Sequence, residues 1–260
     1  MSDIASVQSS MNLDRLRPLR AASGRPPKRG IPTPSTTFDE EGPHYVLPEL
    51  AYAMDALEPY CSAETLRIHH DYQHAAYVTG ANRALDRLTM ARLSHDWSAI
   101  NQLEADLSFN VSGHVLHSLF WTTIGPARYE RPIGDVARAI DSSFGNFESF
   151  REQFTQCGLA LQGSGWVALA WEPLGGCLVI EQIHDHQSTI SQGAELLMVC
   201  DLWEHAYFLE YRQSRLDWLD AFWHIVNWAA VDERLVRSNF YITRAGQPFV
   251  WPSYVRDTLH

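Results

Sequence analysis

Residues 196–207 read LLMVCDLWEHAY, and the architecture turns on this stretch. Its first half is an apolar run of strand length that ends on Asp201, so a carboxylate stands at the tip of a buried strand, with His205 in the first turn of a following helix. A carboxylate in that place must be paired, protonated or bound to a metal, because burying it free is strongly unfavourable. Upstream, SGWVALAWEP (164–173) and CLVIEQIH (177–184) are two more runs of strand length, with Gly175 and Gly176 as the turn between them. Helical patterns over 134–141, 146–159, 204–213 and 217–230 surround these strands. Residues 131–235 therefore read as an α/β domain, opened by the linker Arg131-Pro132.

The half that precedes it, 43–130, reads as helical. YVLPELAYAMDALEPY (45–60) is punctuated by proline, after which Ser62 and Glu64 supply an N-cap and an acidic first turn for a long helix over about 63–88. Further helical segments cover about 95–107 and FNVSGHVLHSLFWTTIG (109–125), the latter stopped by Gly125 and Pro126. HHDYQH sets His70 and His74 at i,i+4, and GHVLH sets His114 and His117 at i,i+3, both legitimate spacings for a two-point metal clamp. In a chain with twelve histidines either pair is weak evidence alone, and on spacing alone the choice of ligand stays open.

Composition narrows the function. With 45% hydrophobic residues and nine tryptophans, 260 residues can bury a substantial core. A formal charge of −11, with Lys28 the single lysine, is wrong for a general nucleic-acid binder, which needs clustered cations. No apolar run approaches the roughly 20 residues needed to span a bilayer. Cys61, Cys157, Cys177 and Cys200 form no CxxC pair, which predicts neither a zinc ribbon nor a disulfide framework and suits a soluble cytoplasmic protein. Residues 1–42, rich in Arg, Pro and Ser, predict a disordered basic tail; Asp3 and Asp14 are against type for a transit peptide. The extension 236–260 has aromatic residues but no clear period.

YVLPELAYAMDALEPY, ETLRIHHDYQHAAYV (64–78), HVLHSLFW (114–121), QGSGW (162–166), DLWEHAYFLEY (201–211) and FWHIVNW (222–228) follow one another in an order that resembles the iron/manganese superoxide dismutases over roughly residues 45–230. The resemblance implies an α+β fold: an N-terminal antiparallel long-helix hairpin and a C-terminal α/β domain with a three-stranded antiparallel sheet. It implies one Fe or Mn per chain on His69, His117, Asp201 and His205, choosing His69 over its neighbour His70 and His117 over His114. It also implies Tyr77 at the gateway, Trp121, Trp166 and Trp203 caging the metal, and Glu204 reaching a ligand histidine of a partner subunit in a homodimer or homotetramer. The implied reaction takes two superoxide ions to O₂ and H₂O₂, with Arg215 helping to draw the anion in. His69, Gln73 and Tyr77 step at i, i+4 and i+8, as do Gly113, His117 and Trp121, so ligand and neighbours should share a helix face.

Three departures stand out. The glutamine that usually tunes solvent at the metal is missing: one of its two places holds Gly113, and near the other EQIHDHQS (181–188) offers His186 or His184. Gln73 and Phe208 stand where many relatives have a His and a Tyr bonded across the dimer, and Leu116 replaces an Asn. These changes motivate an alternative, a divergent Fe/Mn-dependent oxidase or oxygenase on the same scaffold; a non-catalytic homologue is the third reading, opposed by retention of all four ligands.

Overall fold

The computed structural model describes residues 45–126 and 129–240, without the side chains of 239 and 240; the expected tail 1–42, and the extension from residue 241 onward, lie outside the described residues. Within that span the chain runs α1 (Ala63–Ile68), a π-helical segment (His69–His74), α2 (Ala75–Ser94), α3 (Ile100–Thr123), α4 (Gly134–Phe144), α5 (Phe147–Ala160), β1 (Gly165–Glu172), β2 (Cys177–His184) and β3 (Glu195–Asp201). A 3₁₀ turn (Glu204–Ala206), α6 (Phe208–Tyr211), α7 (Arg215–Phe222) and α8 (Trp228–Phe240) follow.

Ser62 caps α1 as its sequence position predicts, its hydroxyl accepting from the Thr65 amide at 3.2 Å. The helix then continues through a π segment into α2, so the expected single helix of 63–88 exists with a wide turn inserted at HHDYQH. α2 and α3 pack against each other as an antiparallel hairpin. They pack closely because residue 80 is glycine: a Cβ there would collide with the Asn110 amide. The two helices expected over 95–107 and 109–125 are one. An Asx turn, in which Asp96 Oδ1 accepts from the Ser98 amide at 3.0 Å, delays its start. Ser108, Asn110, Ser112 and Gly113 look like a break by propensity, but the helix runs through them because its buried face includes Gly113, Leu116 and His117.

The three strands form an antiparallel sheet in the order β2-β1-β3. β1 lies in the middle and is buried on both faces, which is why GWVALAWE shows no polar alternation. Gly176, at φ +63, makes the turn to β2. Helix α5 packs on β1 and β2, and α3 of the hairpin packs on β3. One hydrophobic core therefore runs from Leu57, Leu116 and Phe120 through Trp166 and Val199 to Trp218 and Trp228; a small satellite of Leu88, Ala91 and Leu103 sits in the hairpin.

The helix expected over 217–230 is interrupted. Segment 224–227 leaves the helical path to pair with the end of α3: the Asn227 amide donates to Thr123 O and the Gly125 amide to Ile225 O, both at 2.8 Å, beside an isolated Ile124–Val226 bridge. This clasp fixes the end of α3 against the C-terminal half. Helix α8 then carries the chain to Phe240, so the first residues of the unassigned extension are helical.

Candidate metal centre

β3 delivers Asp201 by register. It pairs with Trp166 of the central strand, its carbonyl accepts from the Trp218 indole at 2.7 Å, and its Oδ1 accepts from the Trp203 amide at 2.9 Å. The free oxygen, Oδ2, faces three imidazole nitrogens: His69 Nε2 at 3.0 Å, His205 Nε2 at 3.2 Å and His117 Nε2 at 3.6 Å. The four donor atoms all lie within 4.8 Å of one another. Asp201 and His117 are fully buried, His69 nearly so, and His205 is less enclosed.

Protonation follows from the surroundings. Burial alone would raise the Asp201 carboxyl, but His205 and His69 beside it hold it well below the usual carboxylate range. Burial pushes His69 down to about 4 and His117 well below its ordinary value, so both are neutral at neutral pH. The His117 Nδ1–H donates to Gly113 O at 2.6 Å, which leaves Nε2 as a lone pair turned toward the carboxylate. Neither His69 Nε2 nor His117 Nε2 has a hydrogen-bond partner in the described structure. A buried lone pair on His117 Nε2 facing a carboxylate is repelled unless a cation lies between them, and His69 Nε2 stands unpartnered beside it, so the residues fit a metal ion. Imidazole and carboxylate donors suit iron or manganese. The neighbouring Cys200 thiol is pushed well up by burial and stays protonated, so it offers no thiolate.

Aromatic rings close the site. Trp121 meets His69 edge-on at 4.8 Å, Trp166 meets His117 at 4.9 Å, and Trp203 stacks on His205 at 5.6 Å. Tyr77, its hydroxyl held protonated by burial and by Asp201, lies 5.1 Å from the His117 ring and 4.5 Å from that of His186. A Cβ at position 113 would stand 2.8 Å from Tyr77 Cγ and 3.3 Å from His186 Cδ2, so the glycine is what admits both rings.

Of the two histidines in EQIHDHQS, the structure brings His186 to the cluster. β2 ends at His184, and Asp185 turns left-handed at φ 52, a conformation that Asp tolerates. A bridge between His184 and Ser188 closes the turn and carries His186 inward. There it stacks on Trp203 at 4.6 Å, and its Nδ1 accepts from the Trp166 indole at 3.0 Å. Burial lowers it to about 4, so it is neutral with its proton on Nε2, which is buried and unpartnered.

One expectation about helix facing is corrected by geometry. The π turn moves the helix face by one residue, so His74 and not Gln73 follows His69 inward; Gln73 is half-buried, with no side-chain hydrogen bond among the described residues. Arg215 donates to the carbonyls of Leu161, Gly163 and Leu202 at 2.6, 2.9 and 3.5 Å, so it braces the loops around β1 and β3 while keeping its positive charge. It borders a cavity of about 430 Å³ together with Trp203, Glu204 and His205. Glu204, Phe208 and Leu209 are exposed on this chain. Sequence reasoning missed Phe109, whose ring lies 4.8 Å from His186, although it stands four residues before Gly113 on the same helix face. It also missed Trp218, for which no local pattern gives a signal.

The alpha-hairpin domain of the iron/manganese superoxide dismutases matches residues 44–125, and the C-terminal domain of the same family matches 132–234. The chain is 47% identical over 186 residues to a superoxide dismutase [Mn/Fe] of Propionibacterium freudenreichii subsp. shermanii, covering 71% of this chain and 92% of that protein. It is 45% identical over 190 residues to a superoxide dismutase [Mn] of Nocardia asteroides and 44% identical over 190 to a superoxide dismutase [Fe] of Mycobacterium tuberculosis, each alignment covering 73% of this chain and 92% of the relative.

Proposed function

This chain belongs to the iron/manganese superoxide dismutase family, and we propose that His69, His117, Asp201 and His205 hold the iron or manganese ion with which it converts two superoxide ions to O₂ and H₂O₂. The observation that carries the assignment is the convergence of three imidazole nitrogens on one buried carboxylate oxygen.

The ion, when bound, supplies a one-electron couple that accepts an electron from one superoxide and gives it to another. The protein sets that couple and supplies protons. Asp201 contributes the fixed negative charge and, held by the Trp203 amide and the Trp218 indole, keeps one oxygen toward the ion site. His117 is oriented by its own helix carbonyl. His186 offers a neutral Nε2–H donor inside the site, and its stacking on Trp203 and bond from Trp166 prevent it from turning away. It takes the tuning role usually given to glutamine. Tyr77, beside His186, holds a protonated hydroxyl at the entrance. Trp121, Trp166 and Trp203 exclude bulk water and strengthen every electrostatic contact within.

The exposed run Glu204, Phe208 and Leu209 is the surface through which two copies of this chain associate, with Glu204 reaching a ligand histidine of the partner subunit. With Phe208 and Gln73 in place of a Tyr and His pair, that interface lacks the Tyr–His link. All four cysteines are free, which suits the reducing cytoplasm. No helix among the described residues is long and apolar enough to cross a membrane.

Elemental analysis and superoxide-dismutation rate, measured on one preparation reconstituted with Fe and with Mn, test the assignment. About one ion per chain with fast turnover is expected; full metal with negligible dismutation would overturn it. Sedimentation of Glu204→Ala beside the wild type tests the interface, and an unchanged dimer would remove Glu204 from it.

A further inference from the structure

His74 and His114 belong to no ligand set, yet His74 is completely buried directly behind the metal site. Its two ring nitrogens are both engaged. The Trp121 indole donates to Nδ1 at 2.9 Å, and Nε2 lies 2.8 Å from Nδ1 of His114. An indole N–H can only donate, so His74 Nδ1 must be a bare lone pair. A neutral His74 then carries its proton on Nε2 and donates it to His114, whose Nδ1 must in turn be bare. The direction of the whole chain, Trp121 to His74 to His114, follows from that one donor. At its outer end His114 is half-buried between the ring of Tyr45, at 5.3 Å, and Ser118.

Trp121 is the reason this chain matters. The two helical ligands are held by different means. His117 has a hydrogen bond on its Nδ1, whereas His69 has none on its own among the described residues and is oriented by the rings around it. The nearest of these outside the ligand set is Trp121 at 4.8 Å, followed by Phe120 at 5.6 Å. Whatever fixes the plane of Trp121 therefore fixes His69. The π turn serves the same end: its extra residue brings His74 to the face of His69, five positions on, where the Trp121 indole can reach it.

We propose that His74 and His114 are positioning residues for the metal centre, a directed hydrogen-bond chain that locks Trp121 and through it His69. The inference rests on the reading of His69 as a metal ligand.

The test uses the full chain, metal-free and Fe-loaded, labelled with ¹⁵N at tryptophan indoles, with Trp121→Phe identifying the Trp121 signal. In the wild type the Trp121 indole proton is expected to be protected from exchange. His74→Leu, which removes its acceptor, should lose that protection and release Fe to a chelator about tenfold faster, the lower end for a change outside the ligand set. His114→Leu should shift both readouts in the same direction by a smaller factor, and it carries the test if His74→Leu fails to fold. His74→Gln, whose amide can accept from Trp121 and donate to His114, should restore both to near wild type. Wild-type protection and wild-type Fe release in His74→Leu would overturn the proposal. So would equal losses in His74→Gln and His74→Leu, because the bulk of the ring rather than its hydrogen bonds would then be what matters. A wild-type chain that takes up neither Fe nor Mn would instead defeat the ligand assignment, and the indole protection would still decide whether the chain holds Trp121.

Discussion

The two halves of the molecule deliver their ligands by different physics. The sheet half uses backbone register: β1 sits between β2 and β3, Asp201 falls opposite Trp166, its carbonyl accepts from an indole, and its carboxylate is fixed by a main-chain amide. The helical half has no ladder to index its residues. It relies on a π turn to set His69, on a helix carbonyl to hold His117, and on a glycine that lets Tyr77 and His186 approach the same spot. A ligand placed by a ladder is hard to misplace by one residue, because a slip would turn the whole strand inside out. A ligand on a helix is displaced by any change in winding, so its surroundings must hold it.

The largest effect should come from removing a ligand of the helical half. His69→Ala is expected to reduce metal from about one ion per chain to a trace, an affinity loss beyond the roughly 100-fold seen for changes outside the ligand set. Elemental analysis after dialysis against chelator checks it. Full occupancy would mean that the adjacent His70 can swing in, and that the helical half tolerates the very slip the comparison says it cannot. His70 is well restrained against that: its ring nitrogens lie 2.8 Å from Pro48 O and 2.8 Å from Asp71 Oδ1.

Gly113→Ala sharpens the point, since sign as well as size is decisive. In a helix interior, Ala for Gly stabilises by about 1 kcal/mol when nothing is in the way. Here the new methyl would meet Tyr77 at 2.8 Å and His186 at 3.3 Å. Overpacking of this kind typically costs about 1–3 kcal/mol. Urea unfolding of the metal-free protein should therefore show a net loss. A gain would mean that Tyr77 moves aside freely and that the helical half is not clamped at this point.

How much of this was legible follows the same division. The three strands, their order of hydrophobic runs, the Gly-Gly turn and Asp201 at a strand end are all written in local pattern, because a strand buried on both faces has little choice of residues. The chain order of motifs pointed to all four residues that the structure clusters. The winding of helices was not legible. A 3.6-residue period placed Gln73 on the face of His69, whereas the π turn puts His74 there, and no propensity scale distinguishes a helix that gains one residue per turn. The continuity of α3 and the break after α7 are tertiary outcomes as well: one is enforced by burial of Gly113 and His117, the other by the clasp between Asn227 and Thr123. Residues that act from a distance in sequence, such as Trp218 on the Asp201 carbonyl, leave no local trace.

The smallest predicted effect separates two histidines that the sequence left undecided. His186 accepts the buried Trp166 indole proton, so His186→Ala leaves that donor without a partner, a loss of about 1–3 kcal/mol in the metal-free protein. His186→Gln should recover part of it, because the side-chain oxygen can accept in the same place. Among the described residues His184 hydrogen-bonds only through its main chain, to Ser188 and Thr189, so there its side chain can be removed without orphaning a partner. His184→Ala is expected to stay within about 0.5 kcal/mol of wild type. Equal losses in the two alanine variants would mean that the turn after β2 is held by both side chains, and that the sheet half, like the helical half, depends on its surroundings for the last residue it contributes. A loss confined to His186 would place the boundary between the two modes at the end of β2: register carries the chain as far as His184, and one left-handed residue, Asp185, redirects it into the site.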